Sequence, residues 1–180
     1  METPRTLIAR SAAECHLYIE LHPCSCGEAF EPGRHRLESR DDRLIAVYGM
    51  SCRRCATARR FEFVMGEEIA PLGSFGGSKP SQIIDAGEFL AVADSAARGV
   101  PADVSGLDDA ARHRARLLMT RAVAAIEEVL KFVRPGEEGF SSDALFSTRG
   151  AAIFRNEPAR FRKARLQAVH RAYKDAISKL

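Results

Sequence analysis

The apolar positions of this chain change period partway along it. Up to Met65 they alternate or sit in short runs, and beyond Pro80 they recur at helical spacing. Alternation marks half-buried strands and a period near 3.6 marks helices packed through one face, so the pattern predicts an α+β fold. Its β-module comes first and a mostly helical domain follows.

Ser11-Ala12-Ala13-Glu14 has capping-box form and predicts a short helix over Ala12 to Leu21, stopped by Pro23. Strands are predicted from Arg34 to Ser39 and from Leu44 to Gly49, joined by the polar turn Arg40-Asp41-Asp42-Arg43. In the next run Phe61, Phe63 and Met65 share one face of a third strand. The β-module so predicted is antiparallel and spans residues 1–66.

A Gly- and Pro-rich linker over 67–80 contains Gly73-Ser74-Phe75-Gly76-Gly77-Ser78-Lys79. It lacks the Gly-Lys-Ser/Thr ending of a P-loop and reads as a connector. The helical domain then runs over 81–180. Ser81 or Asp85 caps a first helix with Phe89, Val92, Ala93 and Ala96 inward, ended by Gly99 and Pro101. Asp108 caps a long one whose stripe is Ala111, Ala115, Leu118, Ala122, Ile126, Val129 and Val133. Ser141 or Ser142 opens a third through Phe154. Asn156 and Pro158 start the last, with Leu166, Val169, Tyr173, Ile177 and Leu180 on one face.

Composition narrows the class. The 180 residues carry a net charge of +3 and no apolar run long enough for a membrane span. The N-terminal stretch, Met1 to Arg10, lacks a basic head followed by a long apolar run, so a cytoplasmic location is expected. The positive charge concentrates after Ile153, where Arg160, Lys163, Arg171 and Lys174 are predicted to line one face of the last helix. Such a stripe can track phosphates, or it can be the solvated side of a terminal helix.

The cysteines carry the sharpest chemical signal. Of five, four stand in two close pairs, Cys24-Ser25-Cys26-Gly27 and Cys52-Arg53-Arg54-Cys55, at the two ends of the predicted hairpin. Four thiolates so placed suit one tetrahedral Zn2+ that staples a small β-module. The first pair has one intervening residue in place of two, so His22 is a possible substitute ligand, giving a Cys3His set. Cys15 is expected to be a buried apolar side chain. A dithiol redox motif would precede a helix, whereas a strand follows here, and the deaminase pattern of His-x-Glu with Pro-Cys-x-x-Cys is absent. No nucleophile elbow or dinucleotide fingerprint is present, so the chain is not expected to be an enzyme.

In its two knuckles and the strand Arg59-Arg60-Phe61-Glu62-Phe63, the chain resembles zinc-ribbon proteins over about a third of its length. With Phe75-Gly76-Gly77-Ser78-Lys79-Pro80-Ser81 and Asp85-Ala86-Gly87-Glu88 included, it also resembles bacterial proteins of similar size that accompany secreted toxins as immunity-type partners. That resemblance implies a stoichiometric protein binder that blocks a toxin by occupying its surface. The alternative expectation is a nucleic-acid-binding accessory or regulatory protein using Arg53, Arg54, Arg59 and Arg60 together with Arg160, Lys163, Arg171 and Lys174.

Overall fold

The computed structural model describes residues 6–30 and 35–180, so the predicted strand start at Arg34 and the first five residues of the N-terminal stretch lie outside the described residues. The fold is α+β, with a four-stranded sheet in the first half and helices in the second. Two compact units result. One comprises residues 1–77 with Ser81–Ile83, the other Ser78–Pro80 with Ile84–Leu180.

In the first unit, strand β1 (Leu7–Ala9) leads into helix α1 (Ala12–Leu21). Strands β2 (His35–Arg40), β3 (Arg43–Ser51) and β4 (Ala58–Met65) follow, and the sheet order is β1-β4-β3-β2. The two hairpin pairings are antiparallel as expected, but β1 runs parallel to β4, with Leu7 opposite Phe63. The sheet is therefore mixed. Three residues are too few to show a period of two, so only the tertiary pairing identifies β1.

The β2–β3 turn places Asp41 and Asp42 at φ 48° and 58°, the left-handed pair that a two-residue hairpin demands. On one sheet face Tyr48, Phe61 and Phe63 are buried; Tyr48 meets Phe63 edge-on at 5.8 Å, and Tyr18 of α1 meets Phe61 and Phe63 edge-on at 6.2 and 5.6 Å. The opposite face carries a ladder of alternating charge. Glu38 pairs with Arg36 and Arg40, and Arg40 and Arg60 reach Glu62 at 2.7 and 2.5 Å. Long charged stems on this face help to cover Ile45 and Val47, which are buried.

Helix α1 starts as its capping box predicts, with one change. Ser11 Oγ accepts from the Glu14 N–H at 3.0 Å, but Glu14 reaches back to the Arg10 N–H, at 2.6 Å, one residue before the cap. The same carboxylate, wholly buried, holds the Arg10 guanidinium at 2.6 Å. Ser11 also donates to the Phe75 carbonyl at 2.6 Å, which fastens part of the predicted linker onto this unit. Gly76 packs directly on Arg10: a Cβ there would lie 2.4 Å from the guanidinium carbon.

In the second unit Asp85, not Ser81, caps α2 (Ala86–Arg98), and its capping box with Glu88 is complete. Asp108 caps α3 (Asp109–Lys131), whose buried surface includes the predicted Ala115, Ala122, Ile126 and Val129 and widens around Ala124 and Ala125. Ser141 and Ser142 do not open a helix through Phe154. A 3-10 turn at Ser142–Ala144 intervenes, and α4 (Thr148–Asn156) starts from Ser147. A second 3-10 turn, Pro158–Phe161, precedes α5 (Lys163–Ser178). Tyr173, Ile177 and Leu180 pack on Ala96, Ala115, Met119 and Ala122. None of the described helices is long and apolar enough to cross a membrane.

Candidate metal centre

The first knuckle follows directly from the end of α1. Pro23 ends helical geometry, and the Cys24 N–H then donates to the Glu28 carbonyl at 2.9 Å while the Gly27 N–H donates back to Cys24 at 2.8 Å. Gly27 takes φ 85°, a left-handed conformation that glycine adopts without steric cost. The tight turn brings both sulfurs to one side with a single residue between them.

The second knuckle is the connection between β3 and β4. Cys52 donates to the Thr57 carbonyl at 3.0 Å and accepts from the Ala56 N–H at 2.9 Å, which closes the turn over Cys55. Ala56 itself sits at φ 57°. An isolated bridge between Phe30 and Cys52 ties the chain leaving the first knuckle to the second.

These two turns bring the four predicted sulfurs together. The ligand atoms of Cys24, Cys26, Cys52 and Cys55 all lie within 4.8 Å of one another, a group able to hold a metal ion. The shortest separations cross between knuckles: Cys24 to Cys55 is 3.4 Å and Cys26 to Cys52 is 3.5 Å. Four sulfurs about 2.3 Å from a tetrahedral ion stand about 3.8 Å apart, so the spacing fits a closed thiolate shell. Cys24 and Cys52 are buried, Cys26 is half-buried and Cys55 is exposed.

His22 is not in this group. Its Nδ1 donates to the Tyr18 carbonyl at 2.7 Å and its ring stacks on Tyr18, with centroids 3.9 Å apart. The one-residue spacing of the first pair therefore needs no substitute ligand, because the Gly27 turn lets both Cys24 and Cys26 face the second knuckle.

Thr57 is a neighbour that sequence reading missed. Its Oγ1 lies 3.1 Å from the Cys55 sulfur. The Thr57 hydroxyl, then its backbone amide, then Cys24 and Cys52 pull the Cys55 thiol down to about 6. Cys24 is also lowered, first by the Cys26 amide. The Glu28 amide pulls Cys26 down, but the Cys52 sulfur, burial, Cys55 and Cys24 outweigh it and push Cys26 up to about 12. Four crowded thiols share protons unevenly, and a cation at their centre favours all four thiolates.

The predicted basic residues divide between the two units. Arg53, Arg54, Arg59 and Arg60 are exposed around the second knuckle. Arg54 donates to the Cys26 carbonyl at 3.3 Å, and Arg59 lies 4.7 Å over the Phe61 ring. The C-terminal stripe is not continuous. Arg160 lies in the 3-10 turn before α5, where it meets Asp94 at 2.5 Å and Glu157 at 3.3 Å, and Lys174 is 3.8 Å from Glu127. Lys163 opens α5, and Arg171 is exposed on it.

No family model matches the chain, and no curated protein or solved structure matches it.

Proposed function

We propose that Cys24, Cys26, Cys52 and Cys55 hold one structural zinc ion and that the protein acts by binding another protein, without catalysis. The convergence of four sulfurs from two separate knuckles within 4.8 Å carries the metal reading. Bound zinc supplies a cross-link between the knuckles, and four thiolates fill its tetrahedral shell with no position for a substrate. The softness of an all-sulfur donor set favours zinc over a hard oxygen-seeking cation.

A protein partner is supported by the loop after β4. Ile69 and Leu72 are 93% and 107% exposed there. Two large aliphatic side chains this close together, held out by a loop whose far end is fastened through Phe75 to Ser11, offer an apolar contact to another protein. In its most specific form this is immunity-type inhibition of a bacterial toxin. The test is co-expression with a toxin encoded next to this chain's gene. The Ile69→Ser, Leu72→Ser double variant should lose the complex while keeping its metal and its melting temperature. A complex unchanged by the double variant would contradict this binding face, and no complex at all would contradict the inhibitor reading.

The exposed arginines around the second knuckle favour a second reading, a nucleic-acid accessory role. The ion pairs of Arg160 and Lys174 thin the C-terminal stripe, leaving Lys163 and Arg171 beside Arg53, Arg54, Arg59 and Arg60, of which Arg60 also pairs with Glu62. Affinity for DNA or RNA would then fall steeply with log[salt]. Absence of binding at low salt would end this alternative.

A further inference from the structure

We propose that Cys55 is the point at which hydrogen peroxide attacks the cluster, and that the first bond formed joins Cys55 to Cys24 across the two knuckles. This rests on the zinc reading above. The cluster is asymmetric in its access to solvent: Cys24 and Cys52 are 4% and 2% exposed, whereas Cys55 stands in the exposed class. A peroxide arriving from solvent therefore meets the Cys55 sulfur first.

The chemistry balances with peroxide as the oxidant. The Cys55 thiolate attacks one peroxide oxygen, the O–O bond breaks, and a sulfenic acid forms as hydroxide leaves. The Cys24 thiolate, 3.4 Å away, then attacks the Cys55 sulfur. An S–S bond forms, the S–O bond breaks, and a second hydroxide departs, each hydroxide taking a proton to become water. Two electrons leave the sulfurs and reduce the peroxide. Closing the pair from 3.4 Å to a bond of about 2.05 Å needs a movement of about 1.4 Å.

With two of its four donors consumed, the zinc ion is released. A second equivalent of peroxide closes Cys26 to Cys52, 3.5 Å apart. Both disulfides join the knuckles that the metal joins. Oxidation thus exchanges a metal staple for a covalent one, and the first unit keeps its strands after losing zinc. Chelation, which leaves only the Phe30–Cys52 bridge and the Arg54 to Cys26 hydrogen bond between the knuckles, unfolds it.

The experiment uses full-length protein whose zinc content is first measured as one per chain; a lower content counts against the zinc reading, not against this inference. One equivalent of hydrogen peroxide is added with a chromophoric zinc chelator too weak to strip the native site. Disulfides are then mapped by non-reducing tryptic digestion, in which cleavage after Arg53 and Arg54 separates Cys52 from Cys55, and by fragmentation within the 11–34 peptide, which carries Cys15, Cys24 and Cys26 together. The expected result is zinc release in step with a Cys24–Cys55 cross-link, and circular dichroism that keeps its strand signal after two equivalents. Retained zinc, a first disulfide within either knuckle, or Cys55 sulfinate without a cross-link would overturn the proposal. The Cys55→His variant keeps a fourth ligand while removing the exposed thiolate, and should release zinc at least tenfold more slowly. Release at the native rate from zinc-loaded variant would also overturn it, and the mapping on native protein decides the matter if the variant fails to fold.

Discussion

Replacing Asp85 by Ala should destabilise the helical unit by about 3 kcal/mol. The side chain is wholly buried, and its two oxygens serve two helix starts. Oδ1 accepts from the Glu88 N–H at 2.9 Å in α2, and Oδ2 accepts from the N–H of Ser147, the cap of α4, at 2.7 Å. Loss of an N-cap costs about 1 kcal/mol, and removing a charged acceptor from a second, partly buried donor adds about 1.5–3 kcal/mol. For a unit of this size the melting temperature should fall by roughly 12–24 °C. Asp85→Asn separates the two contributions, because an amide offers one acceptor oxygen and turns an NH2 toward the other donor. It should lose about 2 kcal/mol.

The same carboxylate lies against Gly150. A Cβ at Gly150 would stand 2.0 Å from Oδ1, so Gly150→Ala should cost about 1–3 kcal/mol in the native background. In the Asp85→Ala background that clash is gone, and the double-mutant cycle should show a coupling of at least about 1 kcal/mol. The assay is urea unfolding followed by helical circular dichroism. A loss below about 1 kcal/mol for Asp85→Ala, or additive costs in the cycle, would mean that Asp85 does not hold both helix starts.

Two further outcomes follow from local geometry. Asp41 and Asp42 both occupy left-handed positions that asparagine and glycine adopt more readily, so Asp41→Asn with Asp42→Gly should raise the stability of the first unit by about 1 kcal/mol in urea melts. Burial pushes the Cys15 thiol from 9.0 up to about 12, so in zinc-loaded protein without denaturant it should resist alkylation, and it should react once chelation unfolds the first unit. A raised pKa holds the proton more tightly in the folded state, so this thiol's contribution to stability is full below pH 9 and is lost as pH rises toward 12. Cys15→Ala should flatten that part of the pH–stability curve; an unchanged slope would count against it.

Much of the fold is legible from capping chemistry and periodicity. Ser11 and Asp108 each mark a helix start at the observed residue, because a side-chain oxygen before an apolar stripe has a local job that needs no tertiary context. The misplaced elements all depend on partners distant in sequence. Strand β1 exists through its pairing with β4, and α4 begins at Ser147, whose N–H meets Asp85 across 62 positions of chain. At the candidate site the four cysteines declare themselves by spacing. The exclusion of His22 does not, since it turns on a hydrogen bond to the Tyr18 carbonyl. The basic stripe fails for a related reason: residue types predict a charged face, but Asp94 decides what Arg160 does.

Closure of four thiolates from two knuckles around one zinc ion underlies the proposed function. Its most direct test is metal analysis of protein made in zinc-replete medium, combined with a count of reactive thiols before and after chelation. The expected result is one zinc per chain, no rapidly reactive thiol in the loaded protein, and five reactive thiols, Cys15 included, with loss of strand signal once the metal is stripped. Protein that carries well under one zinc per chain, with its four cluster thiols freely reactive and its sheet intact, would contradict it.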